Sequence, residues 1–420
     1  MYTKWLSTLV FGLSIGLTGC ASSSSGTPNP VASGGSSATG GSATAGGASG
    51  GTAAGGTASG GAATGGTASG GTASGGASGG MASGGTAAGG SSGGGGISAG
   101  GSSGSGGSGG AGDRSAVRPS KGCTVMDGAK TLTMGGMSVA SGLPTSTRLK
   151  IMSGGMSREY IIDIPADYNP THPYRLIFSW HQAYGSDTGN AIGQYPAFQG
   201  PNFDAQNYAF FGLRRAAAAA NESAIFVAPA GIGNLPWDFT RDLPLFDDLL
   251  ALVDANLCID DNRVFSTGFS FGAMMSYALS ITRQTKLRAV VAMAAANYAL
   301  PGEPKDSNAA PIAYMGTTGM SDGTCPWVGD ASKMQGGKYC NLVHAMDNGC
   351  TIPGTITTTT VGSKKYVCYD FEGCPAGYPV KACTFDGAHT PSSVDDGSSS
   401  GDDGLKAFIP PLAWKFMAQF

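Results

Sequence analysis

The sequence predicts an α/β fold, a mostly parallel and doubly wound sheet, preceded by a low-complexity linker. Short, almost wholly apolar runs alternate with amphipathic helical segments over residues 113–420. Such runs suit central strands covered on both faces, and strand–helix–strand order implies parallel pairing. Charge divides the chain in the same way, because Lys4 is the only charged residue before Asp113 in a chain of 420 residues.

Local patterns predict the individual elements in turn. Apolar runs predict strands at 160–164, 175–180, 223–228, 264–268, 289–293, 312–315 and 381–385. Helices are predicted at 207–221, which contains an alanine run, at 243–257, where apolar residues recur at helical spacing, and at 271–282, directly after a strand. Sheets of this class commonly bind ligands at the carboxyl ends of their strands, so we expect a site at that edge.

The amino-terminal segment predicts export. Lys4 is followed by an apolar run over residues 5–17, which is too short to span a bilayer as a helix. Leu17-Thr-Gly-Cys20 resembles the lipobox of bacterial lipoproteins. This resemblance implies a signal peptide at 1–19 and lipidation of Cys20, which would anchor the protein to the cell envelope, and Ala21 favours the outer membrane. A plain secretory signal with a chance cysteine is the alternative.

Residues 20–112 predict a disordered linker rich in Gly, Ser, Thr and Ala. Residues 21–112 contain 37 glycines and no Asp, Glu, Lys or Arg. With so few large apolar side chains, nothing offsets the entropy of ordering this segment. Residues 113–420 are predicted to form one domain. The net charge of −3 and the lack of a basic run argue against a nucleic-acid partner.

Eight cysteines follow Cys20, and an even number in an exported chain favours disulfides. They are Cys123, Cys258, Cys325, Cys340, Cys350, Cys368, Cys374 and Cys383. The sequence does not reveal their pairing. A zinc site is the competing interpretation, since three of these cysteines cluster near His389, but the chain has no C-x2-C pair. We expect neither a metal nor an organic cofactor.

A nucleophile turn is predicted at Gly268-Phe-Ser-Phe-Gly272. This G-x-S-x-G pattern lies between a predicted strand and a predicted helix, which is the context that the turn requires. Small residues on either side leave room for a sharp bend that presents a hydroxyl above the sheet. Ser270 is therefore the candidate nucleophile.

The general base follows by elimination among four histidines. In this arrangement the chain order is Ser, then Asp or Glu, then His, so His172 and His181 come too early. His344 lies in a predicted helix between cysteines, where a structural role is favoured. His389 lies in a Gly-Ala-His-Thr-Pro turn after a predicted strand, and such a loop can reach over the serine.

The acid and the oxyanion donors are predicted from loops at the same edge. Asp322 lies seven residues beyond the strand at 312–315 and is the first candidate for the acid, with Asp330 as the alternative. Backbone N–H groups of Phe271, directly after the nucleophile, and of Gln182, after the strand at 175–180, are expected to stabilise an oxyanion. These groups together specify two-step ester hydrolysis through an acyl-enzyme, although fold and triad alone do not separate an esterase from a peptidase.

From Arg158 to Phe420 the chain resembles feruloyl esterases of the carbohydrate-esterase type, relatives of polyhydroxybutyrate depolymerases. The resemblance rests on segments 228–231, 258–270, 313–316 with Asp322, 348–351, 377–380, 384–391 and 413–420. It implies an α/β-hydrolase that removes hydroxycinnamoyl groups from plant cell-wall polysaccharide, with Ser270, Asp322 and His389 as the triad. The chain departs from the family pattern in the 181–185 loop, at Ala273 and in the length of the 316–322 run.

The expected substrate is a feruloyl ester on polysaccharide or a small aryl ester. Aromatic residues that could line a pocket for its ring are Trp180, Tyr184, Trp237, Phe271 and Trp327. A polyhydroxybutyrate depolymerase, an acetylxylan esterase and a non-catalytic surface binding protein are the alternative functions.

Overall fold

A computed structural model describes residues 114–124, 131–134, 137–140, 147–194, 205–298, 310–391 and 407–420. The predicted signal peptide at 1–19, Cys20 and the predicted linker at 20–112 lie outside the described residues. None of the helices in the described segments has the length and hydropathy that a membrane crossing requires.

Nine strands of the described chain form one mixed sheet in the order β10-β11-β9-β8-β7-β5-β6-β4-β3. Neighbours from β11 to β6 run parallel, whereas β4 pairs antiparallel with β6, β3 with β4 and β10 with β11. The strands are β3 Leu149–Ser153, β4 Met156–Asp163, β5 Tyr174–Trp180, β6 Ala224–Pro229, β7 Ile259–Phe269, β8 Ala289–Met293, β9 Ala313–Gly319, β10 Tyr366–Asp370 and β11 Val380–Phe385. A separate hairpin joins β1 Thr131–Met134 to β2 Met137–Ala140.

Helices cover both faces of this sheet. They are α1 Asp187–Ile192, α2 Leu213–Ala219, α3 Asp242–Asn256, α4 Phe271–Thr282, α5 Gly337–Asp347 and α6 Ile409–Ala418. Short 3-10 turns occur at Lys121–Thr124, Ala205–Tyr208 and Ala331–Lys333. The mostly parallel sheet with helices on both faces confirms the predicted fold class, an α/β-hydrolase.

Alternate residues of the central strands pack against opposite helical layers. In β5, Phe178 packs with its ring 4.8 Å from that of Phe246 in α3. Its neighbour Ile177 lies on the other face, in the cluster that contains Trp414 of α6. Because side chains of a strand alternate between faces and both faces are covered, the whole strand reads as an apolar run.

The predicted helix at 207–221 is wrong in its first half. Phe210 and Phe211 adopt φ angles of 53° and 57°, and the α-helix begins only at Leu213. Both rings are buried, and Phe210 stacks on Phe226 of β6 with ring centroids 4.7 Å apart. Burial of the two rings against the sheet therefore determines this segment, against the helical preference of the alanine run.

Three disulfides are present, and they join Cys123 to Cys258, Cys350 to Cys374 and Cys368 to Cys383. All three cysteines of the zinc alternative are engaged in these bonds. The expectation that all eight cysteines pair is wrong for Cys325 and Cys340, which are free and buried. Burial raises the pKa of both thiols.

Candidate active site

The turn between β7 and α4 holds Ser270 in a strained backbone conformation. Its φ is 55° and its ψ is −121°, a region that residues other than glycine rarely adopt. The Ser270 N–H donates to the Met293 carbonyl at the end of β8 (3.0 Å), and the Ser270 carbonyl accepts from the Met274 N–H (3.0 Å). These bonds fix the turn from both sides and leave the hydroxyl at the carboxyl edge of the sheet.

Gly268 and Gly272 are required because other backbone atoms lie where their Cβ atoms would be. A Cβ atom on Gly272 would lie 1.9 Å from the carbonyl oxygen of Trp180, and one on Gly268 would lie 2.4 Å from the Gly272 carbonyl. Either contact would force the strand and the helix apart. Glycine at both positions is what the G-x-S-x-G pattern predicts for this turn.

Ser270, His389 and Asp322 form a continuous chain of hydrogen bonds. The Ser270 hydroxyl donates to His389 Nε2 at 2.8 Å, and the His389 Nδ1–H donates to Asp322 Oδ2 at 2.7 Å. The Asp322 side chain is fully buried, whereas that of His389 is 22% exposed. The hydroxyl, imidazole and carboxylate therefore have the contacts that proton transfer from a serine nucleophile requires.

The loops that carry Asp322 and His389 are bound to each other by their backbones. The Met320 N–H donates to the Phe385 carbonyl and the Ser321 N–H to the Gly387 carbonyl, both at 2.9 Å. The other carboxylate oxygen, Asp322 Oδ1, accepts two backbone N–H bonds from residues 324 and 325, at 2.8 and 2.7 Å. The carboxylate is thus held in one orientation toward the imidazole.

Asp330, the alternative acid, lies away from the imidazole. It caps the 3-10 turn at Ala331–Lys333 and forms an ion pair with Lys333 at 2.8 Å. Hydrogen bonds from Lys333 and from Ser332 lower its pKa to about 2. Of the two aspartates considered, the structure brings Asp322 to His389.

The backbone N–H groups of Phe271 and Gln182 are the predicted oxyanion donors. Phe271 is the first residue of α4, so its N–H has no partner within the helix. Gln182 lies in the loop that follows β5, and its carbonyl accepts from the Gly185 N–H at 3.0 Å. Neither the Phe271 N–H nor the Gln182 N–H donates to another described residue. Phe271 thus directly follows Ser270 at the start of α4, and Gln182 lies in a loop at the same carboxyl edge of the sheet.

His181 holds the loop that contains Gln182. Its Nδ1–H donates to the Gln182 carbonyl (2.9 Å), so its Nε2 is unprotonated and accepts from the Gly231 N–H (3.1 Å). The ring is 2% exposed, and burial lowers its pKa to about 4, which keeps it neutral at neutral pH. The contact with Gly231, in the loop after β6, is one that the sequence did not predict.

The candidate pocket aromatics divide into two groups. Trp180 and Trp237 are buried, and their indole N–H groups donate to Ser266 Oγ and to the His181 carbonyl. They pack against the loop that contains Gln182, and their burial leaves almost no surface for a ligand to contact. Tyr184 is 63% exposed with a φ of 59°, and Trp327 is partly buried in the loop that follows Asp322.

Comparison with known proteins places this chain among esterases. The profile of the Phospholipase/Carboxylesterase family matches residues 239–335. Feruloyl esterase D of Neurospora crassa is 30% identical over 73% of this chain and 92% of its own length. Feruloyl esterase C of Emericella nidulans is 34% identical over 62% of this chain and 83% of its own length. The chain belongs to the feruloyl esterase family. It is accordingly a carboxylic ester hydrolase, and its substrates are esters.

A further member of the feruloyl esterase family, a probable feruloyl esterase C of Aspergillus terreus, is 34% identical over 62% of this chain and 83% of its own length. Ser270, Asp322 and His389 all lie in the part of the sequence on which the predicted resemblance rests, residues 158–420.

Proposed function

We propose that this chain hydrolyses feruloyl and related hydroxycinnamoyl esters of plant cell-wall polysaccharide. The observation that carries the proposal is the hydrogen-bonded chain from Ser270 through His389 to Asp322, at 2.8 and 2.7 Å, in a member of the feruloyl esterase family. Polysaccharide-linked esters are the first candidate substrates, and small aryl esters are the second.

In the first half of the proposed reaction, the Ser270 oxygen attacks the ester carbonyl while its proton passes to His389 Nε2. The negative charge moves to the carbonyl oxygen, which the N–H groups of Phe271 and Gln182 stabilise. Asp322 stabilises the imidazolium and holds the proton of Nδ1 in place. His389 then gives its proton to the departing alcohol oxygen, and an ester bond to Ser270 remains.

In the second half, water attacks the acyl-enzyme. His389 accepts a proton from the water, a second oxyanion forms in the same position, and the Ser270 oxygen leaves with the proton that His389 returns. The products are the free carboxylic acid and the restored serine hydroxyl. The two steps use the side chains of Ser270, His389 and Asp322, the two backbone N–H groups and one water molecule.

Apolar groups at the carboxyl edge support a substrate with an aromatic acyl group. Tyr184, Ile232 and Val328 are 63%, 44% and 46% exposed, and they lie in the loops after β5, β6 and β9. Exposed apolar side chains gathered on one face commonly mark a binding surface. We propose Tyr184 and Trp327 as contacts of the hydroxycinnamoyl ring.

The substrate proposal is tested with methyl ferulate, acetylated xylan and polyhydroxybutyrate, assayed side by side, with Ser270→Ala as the blank. Hydrolysis of methyl ferulate with the highest kcat/KM is the expected result. Preferred hydrolysis of acetylated xylan or of polyhydroxybutyrate would assign the chain to one of those alternatives instead. Labelling of the wild type by a fluorophosphonate, absent in Ser270→Ala, distinguishes all three enzymes from a non-catalytic binding protein.

We further propose that the esterase domain spans 113–420 and is exported as a lipoprotein. The Leu17-Thr-Gly-Cys20 segment and the charge-free repeats at 21–112 support a lipid anchor at Cys20 followed by a tether. The three disulfides support an oxidising compartment. The intact mass of the purified protein tests this proposal, since cleavage before Cys20 with acylation and cleavage without acylation give different masses.

A further inference from the structure

A cavity of about 620 Å³ lies at the edge of the sheet opposite Ser270. Its lining includes Arg288, which directly precedes β8, and Gly377, which precedes β11. Ser270 follows the carboxyl end of β7, whereas these residues lie at the amino ends of strands parallel to it. The cavity is therefore a separate place from the candidate active site.

Arg288 is a buried cation that forms no ion pair with an acidic side chain in the described part of the chain. The residue is 7% exposed, its Nη1–H donates to the Gly377 carbonyl at 2.6 Å, and its Nε–H is buried without a hydrogen-bond acceptor. The guanidinium lies over the Phe420 ring, 3.8 Å from its centroid. Arginines are seldom buried unless a carboxylate or another anion pairs with them, so this environment lacks its expected counter-charge.

Arg114 adds a second guanidinium to the same cavity. It donates from Nη1 to the Leu287 carbonyl (2.6 Å) and from Nη2 to the Thr285 carbonyl, both neutral acceptors. Burial is the main cause that lowers the pKa of both Arg114 and Arg288, and the charge of Arg114 lowers the pKa of Arg288 further. Among the described residues, no carboxylate lies within 4.0 Å of either guanidinium.

The lining carries a third arginine and no acidic side chain. Arg263 also lines the cavity and pairs with Asp260 at 3.3 Å, whereas Arg114 and Arg288 have no such carboxylate partner within segments 114–124, 131–134, 137–140, 147–194, 205–298, 310–391 and 407–420. Phe371 and Phe420 are the two phenylalanines that line the cavity beside these cations. The volume exceeds that of a simple inorganic ion and falls within the range of small-molecule sites.

We propose that this cavity binds a small carboxylic acid that carries a ring. The carboxylate would accept from Arg288 and Arg114, because guanidinium groups match carboxylates in geometry and charge. The ring would pack against Phe371 and Phe420. A uronate unit of the polysaccharide and the hydroxycinnamic acid that the reaction releases both have this chemistry. The proposal of an anion site does not depend on the proposed function. Only the choice of uronate and hydroxycinnamic acid as ligands rests on the proposed function.

Binding to the Ser270→Ala protein tests the proposal without ester turnover. Glucuronate and ferulate are titrated separately by calorimetry, each beside its uncharged methyl ester. The readout is the part of the binding that Arg114→Ala or Arg288→Gln removes, because a ligand held only in the candidate active site does not depend on these arginines. Arg214→Ala is the matched control, since Arg214 is half-buried and pairs with Asp163.

We expect at least one acid to bind at least tenfold more weakly after either arginine substitution, with Arg214→Ala unchanged. Loss of glucuronate binding identifies a polysaccharide subsite, and loss of ferulate binding identifies a product site. The methyl esters should show no arginine-dependent binding. Arg114 is only partly buried, so its variant should fold even where Arg288→Gln does not.

The proposal is wrong if neither acid shows arginine-dependent binding, or if the methyl esters show as much of it as the acids. Hydrolysis of methyl ferulate by the wild type is a separate measurement. The proposed function can therefore fail while the anion site stands, and the reverse also holds.

Discussion

Replacing Asp322 by Asn should abolish most of the esterase activity while keeping the fold. The amide can place its oxygen where Oδ1 now accepts the N–H groups of Thr324 and Cys325. Its NH2 group then faces His389 and donates to Nδ1. This forces the imidazole proton onto Nε2, so that the ring can no longer accept the proton of Ser270.

The structure also decides against the opposite orientation of the amide. Turning the oxygen toward His389 would aim the NH2 group at two buried N–H donors and leave both without an acceptor. Each unsatisfied group costs about 1–3 kcal/mol, so the flipped amide is disfavoured by about 2–6 kcal/mol. The inactive tautomer therefore prevails, and a loss of about 10⁴-fold in kcat is expected, or about 5 kcal/mol of transition-state stabilisation.

The assay is the steady-state hydrolysis of methyl ferulate by the wild type, Asp322→Asn and Asp330→Asn, with thermal unfolding of each. Asp330 is a surface cap of a 3-10 turn, so Asp330→Asn should keep kcat within about twofold of the wild type, as surface substitutions usually do little. An Asp322→Asn enzyme within tenfold of wild-type kcat would refute the reasoning. A greater loss in Asp330→Asn than in Asp322→Asn would reverse the assignment.

Three further predictions concern stability and thiols. Because burial lowers the pKa of His181 to about 4, below its unfolded value of about 6.5, its contribution to stability is complete above pH 6.5 and is lost as pH falls toward 4. Urea unfolding should show a loss of about 2 kcal/mol from this residue between pH 7 and pH 5, which His181→Gln should remove. Replacing both Cys123 and Cys258 by Ser opens a loop of 135 residues and should lower the free energy of unfolding by about 2–5 kcal/mol, with kcat retained. Cys325 and Cys340 should react with a thiol reagent only after denaturation, because burial disfavours their thiolates; rapid labelling of the native enzyme would contradict this.

Most of the central sheet could be predicted from the sequence, because strands covered on both faces are apolar throughout. The predictions at 289–293 and 271–282 coincide with β8 and α4. The edge strands β3 and β10 were not predicted, since β3 alternates buried with more exposed residues, β10 has no fully buried residue, and both contain charged side chains. The start of β7 was missed for a similar reason, as its segment 260–263 consists of polar residues.

The candidate site could be predicted where a short sequence pattern reflects a steric requirement of the backbone. Gly268 and Gly272 leave room for a turn that any larger residue would block, so the position of Ser270 follows from the sequence alone. The contact between His181 and Gly231 carries no such pattern, because it joins two loops 50 residues apart. Likewise, nothing in the sequence distinguishes the two free cysteines from the six that pair.

The convergence of Ser270, Asp322 and His389 follows from the sheet more than from the chain between them. Ser270 and His389 are 119 residues apart, and Asp322 and His389 are 67 apart, so chain proximity cannot explain their contacts. Each instead follows the carboxyl end of a strand, β7, β9 or β11, and these strands lie within four adjacent places of one parallel array. Parallel strands end at the same edge, so a residue placed just after each strand is delivered to that edge whatever the length of the intervening helix. The topology alone does not set the distance between Asp322 and His389. The backbone hydrogen bonds between the loops after β9 and β11 fix it. A triad on this fold therefore tolerates long insertions between its members but not a change in the register of β9 against β11.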